Sequence, residues 1–238
     1  MEYYSVTNLS ERYRQILNNI EKKKRELGIQ RQIKIVAVSK THPIEAILNA
    51  ISVGITDFGE NYAQEMKSKY EQIKLVSKSQ PNWHFIGHLQ TNKVKYIAPF
   101  VALIHSVDSI HLAEEIEKQA SKNNRIIDVL VQVNTSGEAS KYGCEPEATL
   151  QIIDAIKNFP HLHVKGLMTI GSFSTDEQVI RKEFGLLAKL LEDAKRSFPE
   201  LNLTELSMGM THDYLIAVEE GATILRIGTA IFGERHYT

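Results

Sequence analysis

Short apolar runs alternate along this chain with longer segments whose apolar residues recur at helical spacing. The first run, residues 35–38, is apolar at consecutive positions and rich in β-branched residues, which predicts a strand buried on both faces. A helical segment follows this run and most of the later ones. The further predicted strands are 55–58, 83–86, 101–106, 128–133, 163–168, 203–207 and 223–227.

An additional helix is predicted before the first strand. Asn8 and Glu11 resemble a capping box at its start, and Gly28 suits its C-terminal end. Strict alternation of strand and helix, including a helix predicted over 177–197, indicates a parallel sheet with right-handed crossovers. Eight such strands favour a closed (β/α)8 TIM barrel, with the N-terminal helix beside the first and last strands. Since no composition break marks a linker, we expect one α/β domain over residues 1–238.

Composition limits the possible partners. The chain is 42% hydrophobic and 24% charged with a formal net charge of −1, which suggests neither a nucleic-acid nor a membrane-surface footprint. No apolar run is long enough to span a bilayer, and the start does not resemble a secretory signal. The single cysteine, Cys144, excludes an internal disulfide. We therefore expect a cytoplasmic, monomeric protein without nucleic-acid or membrane partners.

Candidate chemistry begins with Lys40, which stands where the first strand ends. Active sites of (β/α)8 barrels lie at the carboxyl ends of the strands, and Asn61 follows the second strand in the same way. An amine beside apolar walls can be desolvated, which favours its neutral, nucleophilic form. The alternative is a strand-end lysine that extends its ammonium to solvent, and this segment alone favours the alternative.

The loops after strands seven and eight are where such barrels often hold phosphate. Gly228 and Thr229 offer two successive backbone N–H groups, and the turn from Ser207 to Thr211 adds two hydroxyls at the start of a helix. Each feature taken singly is also explained by an ordinary turn or a helix cap. Their common location at the same end as Lys40 favours phosphate binding.

A lysine amine with a phosphate cradle predicts a phosphorylated aldehyde held as a Schiff base, either pyridoxal 5′-phosphate or a sugar phosphate. Arg226 helps to choose between them. A guanidinium is always protonated and only donates hydrogen bonds, so it suits the unprotonated pyridine nitrogen of pyridoxal 5′-phosphate. The alternative for Arg226 is an ion pair with Glu205 inside the barrel.

Three histidines, His84, His88 and His105, lie on or beside neighbouring predicted strands. Their spacing matches no common metal-ligand motif. We therefore interpret them as hydrogen-bonded structural residues rather than as metal ligands.

Six segments carry a family resemblance. They are 37–41 (AVSKT), 58–62 (FGENY), 83–93 (WHFIGHLQTNK), 165–168 (KGLM), 207–210 (SMGM) and 226–233 (RIGTAIFG). Together they resemble the YggS/PROSC family, the pyridoxal phosphate homeostasis proteins, and they span nearly the whole chain in the expected order. One departure is Thr211, where the family often has serine, and the hydroxyl is kept.

This resemblance implies a barrel like the N-terminal domain of alanine racemase, with pyridoxal 5′-phosphate bound to Lys40 as a Schiff base. It also implies that Arg226 faces the pyridine nitrogen and that Asn61 lies near the cofactor. The residues implied to hold the phosphate are Ser207, Thr211, Gly228 and Thr229. Glu138, Lys141 and Gly143 match a further family pattern, in the loop after the fifth strand. The residues themselves indicate no physical role for that loop.

The expected function is binding, buffering or delivery of pyridoxal phosphate, with apo forms of enzymes that use this cofactor as recipients. Such a protein would influence vitamin B6 pools and the balance of amino and keto acids. The alternative is a weak racemase or related amino-acid enzyme that uses the cofactor, and a cofactor-free aldolase is a third. The racemases that the chain resembles take a second base from another domain, which is not expected in a chain ending at Thr238. Arg226 would also weaken the pyridine ring as an electron sink.

Overall fold

The computed structural model describes residues 5–77 and 80–234. Its strands are β1 (Lys34–Val38), β2 (Asp57–Glu60), β3 (Asn82–Phe85), β4 (Leu103–Val107), β5 (Ile127–Gln132), β6 (Leu162–Met168), β7 (Glu205–Ser207) and β8 (Ile224–Ile227). All neighbours are parallel, and the sheet closes in chain order with β8 paired to β1. This architecture confirms the predicted (β/α)8 TIM barrel.

The helices surround the barrel. They are α1 (Val6–Leu27), α2 (Ile44–Ser52), α3 (Ala63–Val76), α4 (Val94–Ile97), α5 (Ile110–Lys122), α6 (Thr149–Ile156), α7 (Glu177–Ser197), α8 (Tyr214–Glu219) and α9 (Thr229–Phe232). The bounds of α7 agree with the predicted helix over 177–197. In the part of the chain that the structure describes, no helix combines the length and the apolar character needed to cross a membrane.

The strands are buried on both faces, as predicted for β1. A compact cluster inside the barrel consists of Val36, Leu103, Leu130, Met168 and Ile224. The alternate residues Ala37 and Ile104 belong to the larger core between strands and helices. Since side chains alternate along a barrel strand, Val36 and Val38 share the inward direction. Lys40 follows two residues after Val38, at the carboxyl end of β1.

Helix α1 begins differently from the prediction. The proposed capping box of Asn8 and Glu11 is wrong, because the helix starts at Val6 and the hydroxyl of Ser5 accepts the N–H of Asn8 at 3.3 Å. Its predicted C-terminal end is confirmed, since Gly28 adopts a left-handed conformation with φ of 66°. Ser5, which directly precedes the first helical residue Val6, is the cap.

Strand β2 lies two residues later than its apolar run suggested. It covers Asp57–Glu60 rather than 55–58, with Phe58 opposite Ala37 and Gly59 opposite Val38 of β1. Glycine and glutamate have low strand propensity, so pairing with β1 and β3 decides their conformation. The shift makes Glu60 the last residue of β2 and places Asn61 directly after it, at the end of the barrel where Lys40 lies.

Candidate functional site

Lys40 and Asn61 follow neighbouring strands at the same end of the barrel. The register of β1 with β2 pairs Ala37 with Phe58 and Val38 with Gly59, so Lys40 and Asn61 each come two residues after a paired position. Lys40 is half-buried, and the next residue, Thr41, has a left-handed φ of 65°. This conformation is uncommon for a β-branched residue and marks a sharply defined change of direction after Lys40.

A buried network on α3 supports the strand end that carries Lys40. The ammonium of Lys69 donates to the carbonyl oxygen of Ser39 at 2.7 Å and to Glu60 Oε1 at 2.8 Å. The hydroxyl of Ser39 donates to the same carboxylate oxygen at 2.6 Å. Burial raises the pKa of Glu60, and the nearby Lys69 and Ser39 oppose that effect. The residue before Lys40 is therefore held through both its backbone and its side chain.

The residue after Lys40 is held by the same helix. The backbone N–H of Thr41 donates to Glu65 Oε1 at 2.6 Å, and Lys69 donates to that oxygen at 2.7 Å. We call Glu60, Glu65 and Lys69 the support network. Sequence reasoning missed it, although the spacing of Glu65 and Lys69 by one helical turn was a visible signal.

Arg226 is buried inside the barrel and is 3% exposed. Its Nη1 donates to Ser207 Oγ at 2.7 Å, and its Nη2 donates to the carbonyl oxygen of Thr169 at 2.8 Å. The alternative partner, Glu205, accepts instead from Thr223 Oγ1 at 2.6 Å. Burial lowers the pKa of Arg226 to about 10, against the opposing charge of Asp213, so the guanidinium remains protonated at neutral pH.

Ser207 lies where β7 ends, and its hydroxyl is bonded inside the barrel. It is fully buried between Arg226 Nη1 and His105 Nδ1, which lies 2.8 Å from Ser207 Oγ. Strand alternation directs Ser207 toward the barrel axis together with Arg226. That Ser207 also joins Thr211 in one phosphate cradle stays a prediction.

The loops after β7 and β8 meet at Thr211. Its hydroxyl accepts the N–H of Ala230 at 3.4 Å, which brings it to the start of α9 beside Gly228 and Thr229. A Cβ on Gly228 would lie 3.3 Å from both the carbonyl oxygen and the Cβ of Val38. A side chain here would require Val38 to shift by a few tenths of an ångström, so glycine suits this close approach of the chain after β8 to β1. Of the predicted phosphate residues, the structure brings these three together.

Asn61 borders a cavity of about 440 Å³ at the carboxyl end of β2 and β3. Its Oδ1 is buried and has no hydrogen-bond partner within the described residues. Such an atom in a native structure calls for an explanation, and a bound ligand with a donor group is one. Other lining residues are Tyr62, His88, Gln90, Lys93 and Tyr142.

Two of the three histidines are hydrogen-bonded inside the barrel, as predicted. His84 Nδ1 lies 2.9 Å from His105 Nε2, and His84 Nε2 lies 2.9 Å from Asp57 Oδ1. His88 lies apart from them and stacks on Tyr142 with 4.0 Å between the ring centroids. The connection of His105 to Ser207, and through it to Arg226, had no signal in the sequence.

Comparison with known proteins agrees with this geometry. The family model for the alanine racemase N-terminal domain matches residues 12–236. The pyridoxal phosphate homeostasis protein of Aquifex aeolicus is 43% identical over 231 residues, which cover 97% of this chain and 100% of that protein. The chain belongs to this family. The human protein of the same name is 42% identical over 215 residues, covering 87% of this chain and 78% of its own.

A solved structure shows the same fold in the family. PipY of Synechococcus elongatus, determined with pyridoxal phosphate bound, has a TM-score of 0.79 and 32% sequence identity. The match covers 90% of this chain and 100% of PipY. The family resemblance and the alanine-racemase-like barrel predicted from the sequence are both confirmed.

Proposed function

We propose that this chain binds pyridoxal 5′-phosphate and acts in pyridoxal phosphate homeostasis, as a protein that holds and passes on the cofactor. The observation that carries the proposal is the placement of Arg226. It is a buried cation fixed by Ser207 and Thr169, and it lies opposite Val36 of β1, the strand that Lys40 follows. The names of the relatives and the cofactor in PipY support the same conclusion.

The residues present fit this cofactor at three places. Lys40 would hold the aldehyde carbon as a Schiff base, and Arg226 would donate to the pyridine nitrogen. Thr211, Gly228 and Thr229 would hold the phosphate with a hydroxyl and backbone N–H groups. The unsatisfied Oδ1 of Asn61 is a fourth feature that a bound group with a donor would explain.

The same arrangement favours a carrier over an enzyme. When bound, the cofactor supplies a pyridine ring that can accept electrons from a substrate carbanion. The guanidinium of Arg226 stays protonated and can only donate, so it keeps the ring nitrogen unprotonated and reduces this electron-accepting capacity. The expected role is storage and release, with apo enzymes that require pyridoxal phosphate as the recipients.

Absorption and mass spectrometry test the attachment site. The purified protein incubated with pyridoxal 5′-phosphate should absorb in the visible range, and borohydride reduction should fix the cofactor on the peptide that contains Lys40. Lys40→Ala should lose this label, whereas Lys93→Ala, which removes another lysine at the same rim, should keep it. A full label on the Lys40→Ala protein would show that another amine is the attachment site.

Transfer and turnover assays separate the carrier from an enzyme. The loaded protein should reactivate an apo enzyme that requires pyridoxal phosphate. Chiral analysis after incubation with a panel of amino acids should show no turnover at ordinary enzymatic rates. Racemisation with a kcat of about 1 per second or more would contradict the carrier proposal.

A further inference from the structure

A continuous line of hydrogen bonds crosses the barrel interior and ends at Arg226. His84 bonds to Asp57 and to His105 at 2.9 Å each, and His105 lies 2.8 Å from Ser207 Oγ, to which Arg226 donates at 2.7 Å. All five side chains are buried. They come from β2, β3, β4, β7 and β8. A line assembled from five strands is a property of the closed barrel, and no local sequence motif encodes it.

The chemistry of Asp57 gives this line one direction. An ionised carboxylate only accepts hydrogen bonds, so His84 Nε2 carries its hydrogen and donates to Asp57. His84 Nδ1 is then the acceptor for His105 Nε2–H, and His105 Nδ1 is the acceptor for the hydroxyl of Ser207. The remaining lone pairs of Ser207 Oγ accept the N–H of Arg226. Every donor thus points away from Arg226 and toward Asp57.

The charges at the two ends agree with this direction. Burial would raise the pKa of Asp57, but hydrogen bonds from His84 and Thr56 outweigh it and hold the pKa at about 2. Burial lowers the pKa of His84, and it lowers that of His105 well below the usual value. The line therefore joins a carboxylate to a guanidinium through two neutral imidazoles and a hydroxyl, whose negative ends face the cation.

The far end of the line reaches a second cavity. Asp57 and His84 border a space of about 220 Å³ at the amino-terminal end of the strands, together with Lys34, Asn82 and Asp128. Arg226 lies further along the barrel, on the inner face of β8. The structure thus connects a cavity at one end of the barrel to a residue of the proposed cofactor site toward the other end.

We infer that Asp57, His84, His105 and Ser207 form a directional hydrogen-bond relay that positions Arg226 and maintains its charge toward the ring nitrogen of the cofactor. The part that concerns the cofactor rests on the proposed function, whereas the direction of the relay does not. Two of the five N–H donors of Arg226 are used by Ser207 and Thr169. The relay thereby fixes the plane of the Arg226 guanidinium and the directions of its remaining N–H groups.

Loss of the acceptor at residue 57 should reverse the relay. His84 would then donate from Nδ1 to His105 Nε2, and His105 would donate from Nδ1 to Ser207 Oγ. Ser207 still accepts from Arg226 but has to turn its own hydrogen away from His105. A substitution at residue 57 should thus change the tautomer of His105, although within the relay Asp57 bonds His84 and not His105.

Nitrogen-15 NMR of the histidine rings tests the relay in the cofactor-free protein. In the wild type, His84 and His105 should both be neutral with the proton on Nε2. Asp57→Leu should move both toward the Nδ1–H form, whereas Asp128→Asn, which removes another carboxylate at the same cavity, should change neither. A charged or Nδ1–H His105 in the wild type, or an unchanged His105 in Asp57→Leu, would overturn the relay.

Cofactor titration tests the effect on Arg226 and remains informative if Asp57→Leu does not fold. Ser207→Ala cuts the last link, and it should weaken pyridoxal 5′-phosphate binding about tenfold and shift the absorbance maximum of the bound cofactor. Ser207→Thr, which restores a hydroxyl, should restore both. Unchanged affinity and spectrum in Ser207→Ala would refute the positioning role. If the wild type bound no cofactor, the proposed function would fail, and the NMR result would still decide the relay.

Discussion

Glu60 and Lys69 form a buried ion pair, with 2.8 Å between Glu60 Oε1 and Lys69 Nζ, directly beside the strand end that carries Lys40. The carboxylate side chain is fully buried and that of the lysine is 7% exposed. Desolvation of two buried charges costs about as much as their attraction returns, so the pair adds little net stability. The pair instead fixes the position of Ser39, because both Glu60 and Lys69 form hydrogen bonds with that residue.

Lys69→Met should therefore be strongly destabilising, although the wild-type pair is not a large source of stability. The substitution leaves Glu60 buried without a counter-charge, and we expect the free energy of unfolding at neutral pH to fall by about 3–5 kcal/mol. Urea unfolding measures this loss. Since burial already raises the pKa of Glu60, the loss should become smaller toward acid pH, where the carboxylate is neutralised.

Two further variants control that experiment. Lys67→Met removes a lysine of the same helix that pairs with Glu71 at the surface at 3.5 Å, and it should change stability by no more than about 0.5 kcal/mol. The double variant Glu60→Gln/Lys69→Met should recover part of the loss, because no buried charge remains. If Lys69→Met unfolded like Lys67→Met, the support network would have no structural role.

In the loops after β7 and β8, Gly209 is the glycine where a side chain is least tolerated. Its φ is 90°, and a Cβ there would lie 2.5 Å from the Cβ of Ala217. Gly209→Ala should therefore lower the free energy of unfolding by about 2–4 kcal/mol. It should also weaken cofactor binding, because the carbonyl oxygen of Gly209 accepts the backbone N–H of Arg226 at 2.9 Å.

Gly28→Ala is the matched control for backbone strain alone. Gly28 also has a left-handed φ, of 66°, but a Cβ there would have no heavy atom within 4 Å. Its substitution should cost about 1 kcal/mol and leave cofactor affinity unchanged. Unfolding of both variants in guanidinium chloride separates backbone strain from crowding. Equal losses of unfolding free energy at the two positions would show that movement of α8 relieves the crowding at Gly209.

The positions of Lys40 and Arg226 were predictable because apolar runs reveal where strands end, and a barrel brings those ends together. The contacts of Ser207 were not predictable in the same way. Its hydroxyl bonds His105, a residue 102 positions away in the sequence. Which inward side chains meet depends on the register of strands that are distant in sequence, and even the two-residue shift of β2 changes the residues at its end.

The role of Glu60 illustrates the same limit. In the sequence it follows Phe58 and Gly59 as a charged residue that ends an apolar run, which is typical of an exposed turn. In the fold it is a buried strand residue whose partner comes from the next helix. Local pattern assigns a charge to the surface by default, and only tertiary packing reveals the cases in which a counter-charge allows burial.

Asp57 should give the protein a defined acid sensitivity. Its pKa in the folded protein is about 2, below its ordinary value of 3.8. Because the folded state favours the ionised form, the stabilisation is complete above pH 4 and is lost as the pH falls through the interval between these two values. The direction of this pH dependence follows from the depressed pKa of the Asp57 carboxylate.

Asp57→Asn should lower the free energy of unfolding at neutral pH by about 2 kcal/mol, which corresponds to the difference between the two pKa values. The deficit relative to the wild type should shrink below pH 4, because the wild-type carboxylate is then protonated as well. Unfolding in guanidinium chloride between pH 7 and pH 3 measures this deficit. Asp128→Asn is the control, since the Asp128 side chain is 39% exposed and pairs with His163 at the surface. A deficit in Asp57→Asn that did not vary with pH would show that packing around residue 57, and not its ionisation, stabilises the fold.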